Sequence, residues 1–259
     1  MYSFRLPVFP GVSAVLCFLA LCTTACKQQS GTGDLPSSGK PGVTDTTTLP
    51  TGKTAVADTT TAGGKPFPLQ GKTPGDFIPA GYEAALEAEG FLDKDPLPDY
   101  VMVLNKKSEP AAARACLVLT GAPGGGYRLA HTSYRAVQPA FTPDGYPIYD
   151  TEDMGIKDHT LLFDSYSPGP AGNLSAEYRY ENNSLVLVAI HTYNMGAGSH
   201  TEISYNPASG LYEQTVTNTM TDSMSSETTT GNYRQPRLLF EDASPLDIIH
   251  QAYDKANVQ

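Results

Sequence analysis

The run Ser184-Leu-Val-Leu-Val-Ala-Ile190, apolar at every position after its serine, limits what this chain can become. It is too short for a helix buried on all sides, and its length and branched residues read as a central strand covered on both faces. Other β-type runs surround it: Tyr100–Leu104, Arg114–Thr120 and Tyr127–Ser133 before it, with His159–Tyr166 and Ser175–Tyr180 nearer by. His200–Tyr205, Leu211–Thr217 and Tyr233–Phe240 follow, the last closing the β set. Between them stand turn formers, among them Gly121-Ala-Pro-Gly-Gly-Gly126, Asp144-Gly145 and Asn206-Pro-Ala-Ser-Gly210. Short strands spaced by such turns predict an antiparallel β-sandwich or open barrel rather than a parallel sheet.

Two helices complete the expectation, which makes the class mainly β with a minor α part. Ala80–Gly90 holds good helix formers and ends in a glycine suited to a C-cap. It predicts a short N-terminal helix. At the other end Ser244 can cap, Pro245 suits the first turn and Asp247 favours the positive helix end. Leu246, Ile249 and Tyr253 then form an apolar stripe that would dock this C-terminal helix on the sheet.

The N-terminus has a different character. Residues 1–25 carry one charge, Arg5, then an apolar core from Val12 to Leu21, then Ala25 before Cys26, which is the secretory pattern. That core is about half the roughly 20 residues a helix needs to cross a bilayer, so no permanent span is expected. Leu21-Cys-Thr-Thr-Ala-Cys26 resembles the lipobox of bacterial lipoproteins, with Thr23 where the family usually has leucine. Cys22 is the alternative, but Leu21 would place a bulky residue directly before the cut. The resemblance implies that Cys26 is acylated and holds the chain to a lipid bilayer, in the cell envelope. Lys27 after it implies outer-membrane delivery. Several acyl chains at about 0.8 kcal/mol per buried methylene make such an anchor effectively permanent. The rival reading is an ordinary secreted protein cut near Ala25.

Residues 26–75, rich in Thr, Gly, Ser and Pro, lack the apolar side chains needed to offset ordering entropy. They read as a disordered tether spanning roughly 40 Å, ahead of a β domain over 76–259. Asp45-Thr-Thr and Asp58-Thr-Thr resemble the O-glycosylation acceptor sites of Bacteroidetes envelope proteins. The domain holds 24 of the 27 Asp and Glu but only 11 of the 17 Lys and Arg, a net of −13. That balance excludes nucleic acid as a partner, since nothing basic is gathered to displace counterions from phosphate. Past the signal only Cys26 and Cys116 remain. With Cys26 acylated no disulfide can form, and Cys116, in an apolar strand, reads as a small hydrophobe.

Candidate chemistry is sparse. Asp93, Asp95 and Asp99 precede the Tyr100–Leu104 strand. Their spacing resembles the calcium loops of FG-GAP and similar repeats, although Phe91 stands at the first ligand position and Pro96 at the turn glycine. Calcium takes six to eight oxygens, so the three carboxylates need help from other segments, and a polar turn is the competing reading. Asp150, Glu152 and Asp153 form a second acidic cluster. The order of elements, with Ile78-Pro-Ala-Gly-Tyr82 and Asp93–Leu104, resembles uncharacterised bacterial envelope lipoproteins, a group that implies no particular activity. His131, His159, His191, His200 and His250 show no zinc spacing. Ser199 and His200 point to opposite faces of a strand, and there is no Gly-x-Ser-x-Gly elbow. The glycines at 121–126 lack the Lys-Ser or Lys-Thr of a phosphate loop. The expected function is a non-enzymatic envelope lipoprotein binding a ligand or an envelope partner. The alternative is a periplasmic or surface hydrolase, with a cation held by either acidic cluster. A third reading makes the domain structural within a larger complex.

Overall fold

The computed structural model describes residues 66–169 and 171–256. Cys22, Cys26 and the tether up to residue 65 lie outside them. Twelve strands form two antiparallel sheets that do not close into a barrel. The first sheet holds β1 (Gln70–Gly71), β2 (Tyr82–Gly90), β3 (Asp99–Lys106), β4 (Ala115–Gly121) and β5 (Tyr127–Ser133). Its order is β1-β5-β4-β3-β2. The second holds β6 (Thr151–Lys157), β7 (Thr160–Tyr166), β8 (Asn173–Glu181), β9 (Ser184–Met195), β10 (Ser199–Tyr205), β11 (Leu211–Asn218) and β12 (Ser226–Asn232). Its order simply reverses the chain, from β12 to β6. One helix, α1 (Pro245–Lys255), follows.

Alternation builds the core. Val101, Val103, Cys116 and Val118 turn to the second sheet and gather with Leu161, Phe163, Tyr178 and Leu187. Met102, Leu104, Leu117 and Leu119 turn away and are covered by Phe67 and Phe77. The first sheet is therefore apolar on both faces. Residues 66–75, assigned to the tether by composition, are part of the folded domain: Phe67 is buried in this outer layer, Gln70–Gly71 is β1, and Pro74–Phe77 makes a 3-10 turn.

The segment expected to be the first helix is the strand β2. Tyr82 and Ala84 pack on the outer layer, whereas Leu86 and Ala88 pack between the sheets. A bulge at Ala85, between the pairs Ala84 with Leu104 and Leu86 with Val103, transfers the apolar residues from one face to the other. Glu83, Glu87 and Glu89 remain exposed throughout. Helix propensity lost because pairing with β3 buries these side chains, and tertiary context overrides so weak a preference.

Besides β2, and the two-residue β1 in the stretch assigned to the tether, two strands were not anticipated. β6 carries Glu152 on its inward side, where Arg114 meets it, so a charge interrupts the apolar alternation. β12 is polar, with no buried residue, and periodicity has nothing there to report. Tyr233–Phe240 is not a strand of its own, although Leu187 N–H donates to Leu238 O and Phe240 N–H to Leu185 O. In α1 the cap is as expected, Asp247 N–H donating to Ser244 Oγ. The docking stripe is different: Ile248, Ile249 and Ala252 are buried, whereas Tyr253 is 56% exposed.

Candidate functional site

At one end of the sandwich the β2–β3 loop, β5 and the turns β6–β7 and β8–β9 surround a cleft of about 1080 Å³. Both turns are two-residue hairpins with left-handed central residues: Asp158 (φ 49°) and His159 (φ 58°), Asn182 (φ 47°) and Asn183 (φ 63°). That geometry matches the twist of the flanking strands, but its second position favours glycine. Four of the five non-glycine residues with positive φ among the described residues thus line this one cleft. A left-handed conformation costs a residue with a Cβ roughly 1–2 kcal/mol, against about 0.5–1 kcal/mol of extra chain entropy for glycine. His159→Gly is therefore expected to stabilise the domain by about 0.5 kcal/mol, read as a higher midpoint of urea unfolding. Asn183→Gly should gain less, because asparagine tolerates this region.

The cleft wall is aromatic and ionisable. His131 Nδ1 lies 2.6 Å from Glu241 Oε1. The carboxylate can only accept, so Nδ1 carries that proton and Nε2 of the neutral ring is left an acceptor. The His131 ring lies 5.5 Å from Tyr180 and 6.4 Å from Phe240. Burial, and after it the negative charges of Asp99, Asp93 and Glu241, push the Tyr180 phenol up, so it stays a neutral hydrogen-bonding group. Arg179 is held in place, Nε donating to Thr160 Oγ1 at 2.8 Å and Nη2 to Glu177 at 3.1 Å. Arg128 differs: among the six arginines of the described residues, only its guanidinium has neither an ion pair nor a hydrogen bond. The wall therefore offers a free planar cation, two imidazoles, amides and carboxylates beside one aromatic ring.

The predicted metal loop borders this cleft, but its carboxylates do not converge. Asp99 is fully buried: Oδ2 accepts from the N–H groups of Leu92 (2.8 Å) and Asp93 (3.1 Å), and Oδ1 from that of Gly121 (3.2 Å). Asp93 Oδ1 accepts from Asp95 N–H, and Asp95 Oδ1 from Leu97 N–H, each at 2.8 Å. Each acid folds its own stretch of backbone. Asp150, Glu152 and Asp153 are likewise separated, Glu152 binding Arg114 and Asp153 accepting from Met154 N–H. Among the described residues, no three His, Cys, Asp or Glu side chains are grouped to hold a metal.

Nucleophile chemistry finds no assembled site either. His200 Nδ1 is engaged by the Tyr193 hydroxyl at 2.8 Å, not by Ser199. Ser204 and His191 do meet, at 2.9 Å, but on an exposed face of β9 and β10 outside the cleft. Cys116 is buried, and burial pushes its thiol up, out of the reactive range.

Sequence reasoning missed His131, Tyr180 and Glu241 as neighbours because they come from β5, β8 and the segment before α1. The hairpin dipeptides were a usable signal. Asn182-Asn183 falls between two anticipated strands, but His159 was counted into the strand after it. The fold is a two-sheet antiparallel β structure with a cleft at one end. No family model matches the chain, and neither a curated protein nor a solved structure matches it.

Proposed function

We propose that this chain is a membrane-anchored envelope lipoprotein whose β domain is a non-enzymatic binding module for a small polar ligand held in the cleft. The observation that carries the binding reading is the gathering of four left-handed, non-glycine residues on one rim. Backbone cost of that kind persists where the side chains have a use. Amide, imidazole and guanidinium groups beside the Tyr180 ring suit a ligand with several hydrogen-bonding groups and one apolar face. The anchor rests on Cys26 and the signal pattern before it.

The test is a panel of amino acids, short peptides and mono- and oligosaccharides, read by the thermal midpoint of the full-length protein. A ligand of the native state raises that midpoint by mass action. At least one member is expected to do so, and the rise should vanish in Tyr180→Ala and shrink in His159→Gly. A panel without a shift, or a shift indifferent to both substitutions, rejects the cleft as the site. Metabolic labelling with palmitate should mark the native chain but not Cys26→Ala, and label that persists there removes the anchor.

Hydrolysis is the second reading, favoured by the carboxylate-held imidazole of His131, which could act as a general base on water. Turnover of a nitrophenyl ester or glycoside, lost in His131→Gln, would put it ahead of simple binding.

A further inference from the structure

We propose that β12 is a self-association edge, through which two copies of this chain join their seven-stranded sheets antiparallel about Thr229. The two sheets have four edges, and three are protected. β1 is two residues long. β2 and β6 lie against each other, so closely that a Cβ on Gly90 would meet Ile156 Cβ at 2.8 Å. β12 is the exception: seven residues, no bulge in its pairing with β11, and no lysine or proline along it. Natural sheets block long open edges with such devices because an unblocked edge recruits another strand.

The geometry selects the partner and the register. Asn218 N–H donates to Ser225 O at 2.9 Å and Tyr233 N–H to Gly210 O at 2.8 Å, just beyond either end of β12. In an antiparallel ladder, hydrogen-bonded and non-hydrogen-bonded pairs alternate. Glu227, Thr229 and Gly231 therefore direct their N–H and C=O groups to β11. Ser226, Thr228, Thr230 and Asn232 direct theirs to the open edge.

A second copy running antiparallel, with Thr229 opposite Thr229, sets Thr228 opposite Thr230 and Ser226 opposite Asn232. Every outward-facing backbone group then meets another. The same register sets Glu227, the one charged residue of the strand, opposite Gly231, so like charges never face across the seam. A register centred on Glu227 would oppose two carboxylates and is disfavoured. The side chains suit such a seam, since β11 and β12 already join hydroxyls across strands, Thr215 to Thr228 at 2.9 Å and Thr217 to Ser226 at 2.8 Å.

Disulfide trapping of the full-length chain reads the register directly. Thr229 faces its own copy in a non-hydrogen-bonded pair, with Cα atoms about 4.5 Å apart, within the range of about 4.4–6.8 Å that a disulfide spans. Mild oxidation of Thr229→Cys is expected to give a covalent dimer well above the background of the unsubstituted chain. Glu227→Cys should stay at background alone, yet link when mixed with Gly231→Cys chains. Thr230→Pro removes only an outward N–H, and should abolish trapping in the Thr229→Cys chain while leaving the unfolding midpoint near that of the parent. Trapping of Glu227→Cys alone as fast as Thr229→Cys would overturn the register. No dimer from Thr229→Cys, in a chain that sediments as a monomer, would overturn the interface itself.

Discussion

Arg114→Ala is expected to cost about 4 kcal/mol of stability. The guanidinium is buried, 2% exposed, on the residue just before β4. It forks onto Glu152 of the opposite sheet, Nη1 donating to Oε2 at 2.8 Å and Nη2 to Oε1 at 2.5 Å, while Nε donates to Gln138 O at 2.6 Å. Removing it strands a mostly buried carboxylate and a carbonyl, whose desolvation is then uncompensated. Replacing both partners, as in Arg114→Met with Glu152→Leu, leaves no charge behind and should recover most of the loss. Urea unfolding of the two variants measures this, with a lower midpoint at unchanged slope for the first and a midpoint near the parent's for the second. If the double variant were as unstable as the single one, the fork would be contributing more than its mutual neutralisation.

Asp99→Ala is expected to cost about 3 kcal/mol, because it removes the acceptor of three backbone N–H groups, those of Leu92, Asp93 and Gly121, in a region closed to water. Asp99→Asn should cost about 2 kcal/mol, since its amide must turn a donor toward at least one of those donors. Unfolding with and without a calcium chelator should give the same losses, as amides already occupy both oxygens. The pH dependence has a definite sign. Burial raises the Asp99 carboxyl, the three amides pull it back, and the net direction is upward. A raised acid contributes stability that is full below the ordinary carboxylate range and is lost as pH rises through its folded value. The penalty of Asp99→Asn should therefore be greater in acid than at neutral pH, and a penalty that grew on raising the pH would contradict this.

Most of the sheet could be read from the sequence where burial is one-sided or complete. β5 coincides with its expected span, Tyr127–Ser133, and β9 begins at the expected Ser184. The failures share a physical origin. β2 serves two cores through a bulge, β6 places a charge where only a partner in the other sheet makes it tolerable, and β12 buries nothing. None of these leaves a trace in local periodicity. The cleft was hidden for a related reason. Its acids were visible as a string of aspartates, but which oxygens face backbone and which face solvent depends on Gly121, 22 residues beyond Asp99. The imidazole of His131 meets Glu241 across 110 residues.

The two sheets are successive meanders, in which every paired strand except β1 neighbours its partner along the chain. Such pairing of chain neighbours lets each hairpin close as soon as its second strand is present, whereas the packing of one sheet on the other, as in Val101 and Val118 with Tyr178 and Leu187, must bring distant segments together. Three further closures span long stretches of chain: β1 against β5, Leu238–Phe240 against β9, and Glu241 against His131. All three involve the ends of the described chain. The hairpins would form first, and the slower steps would be the packing of sheet on sheet and the seating of the two ends, the second of which brings Glu241 to His131 on the cleft wall.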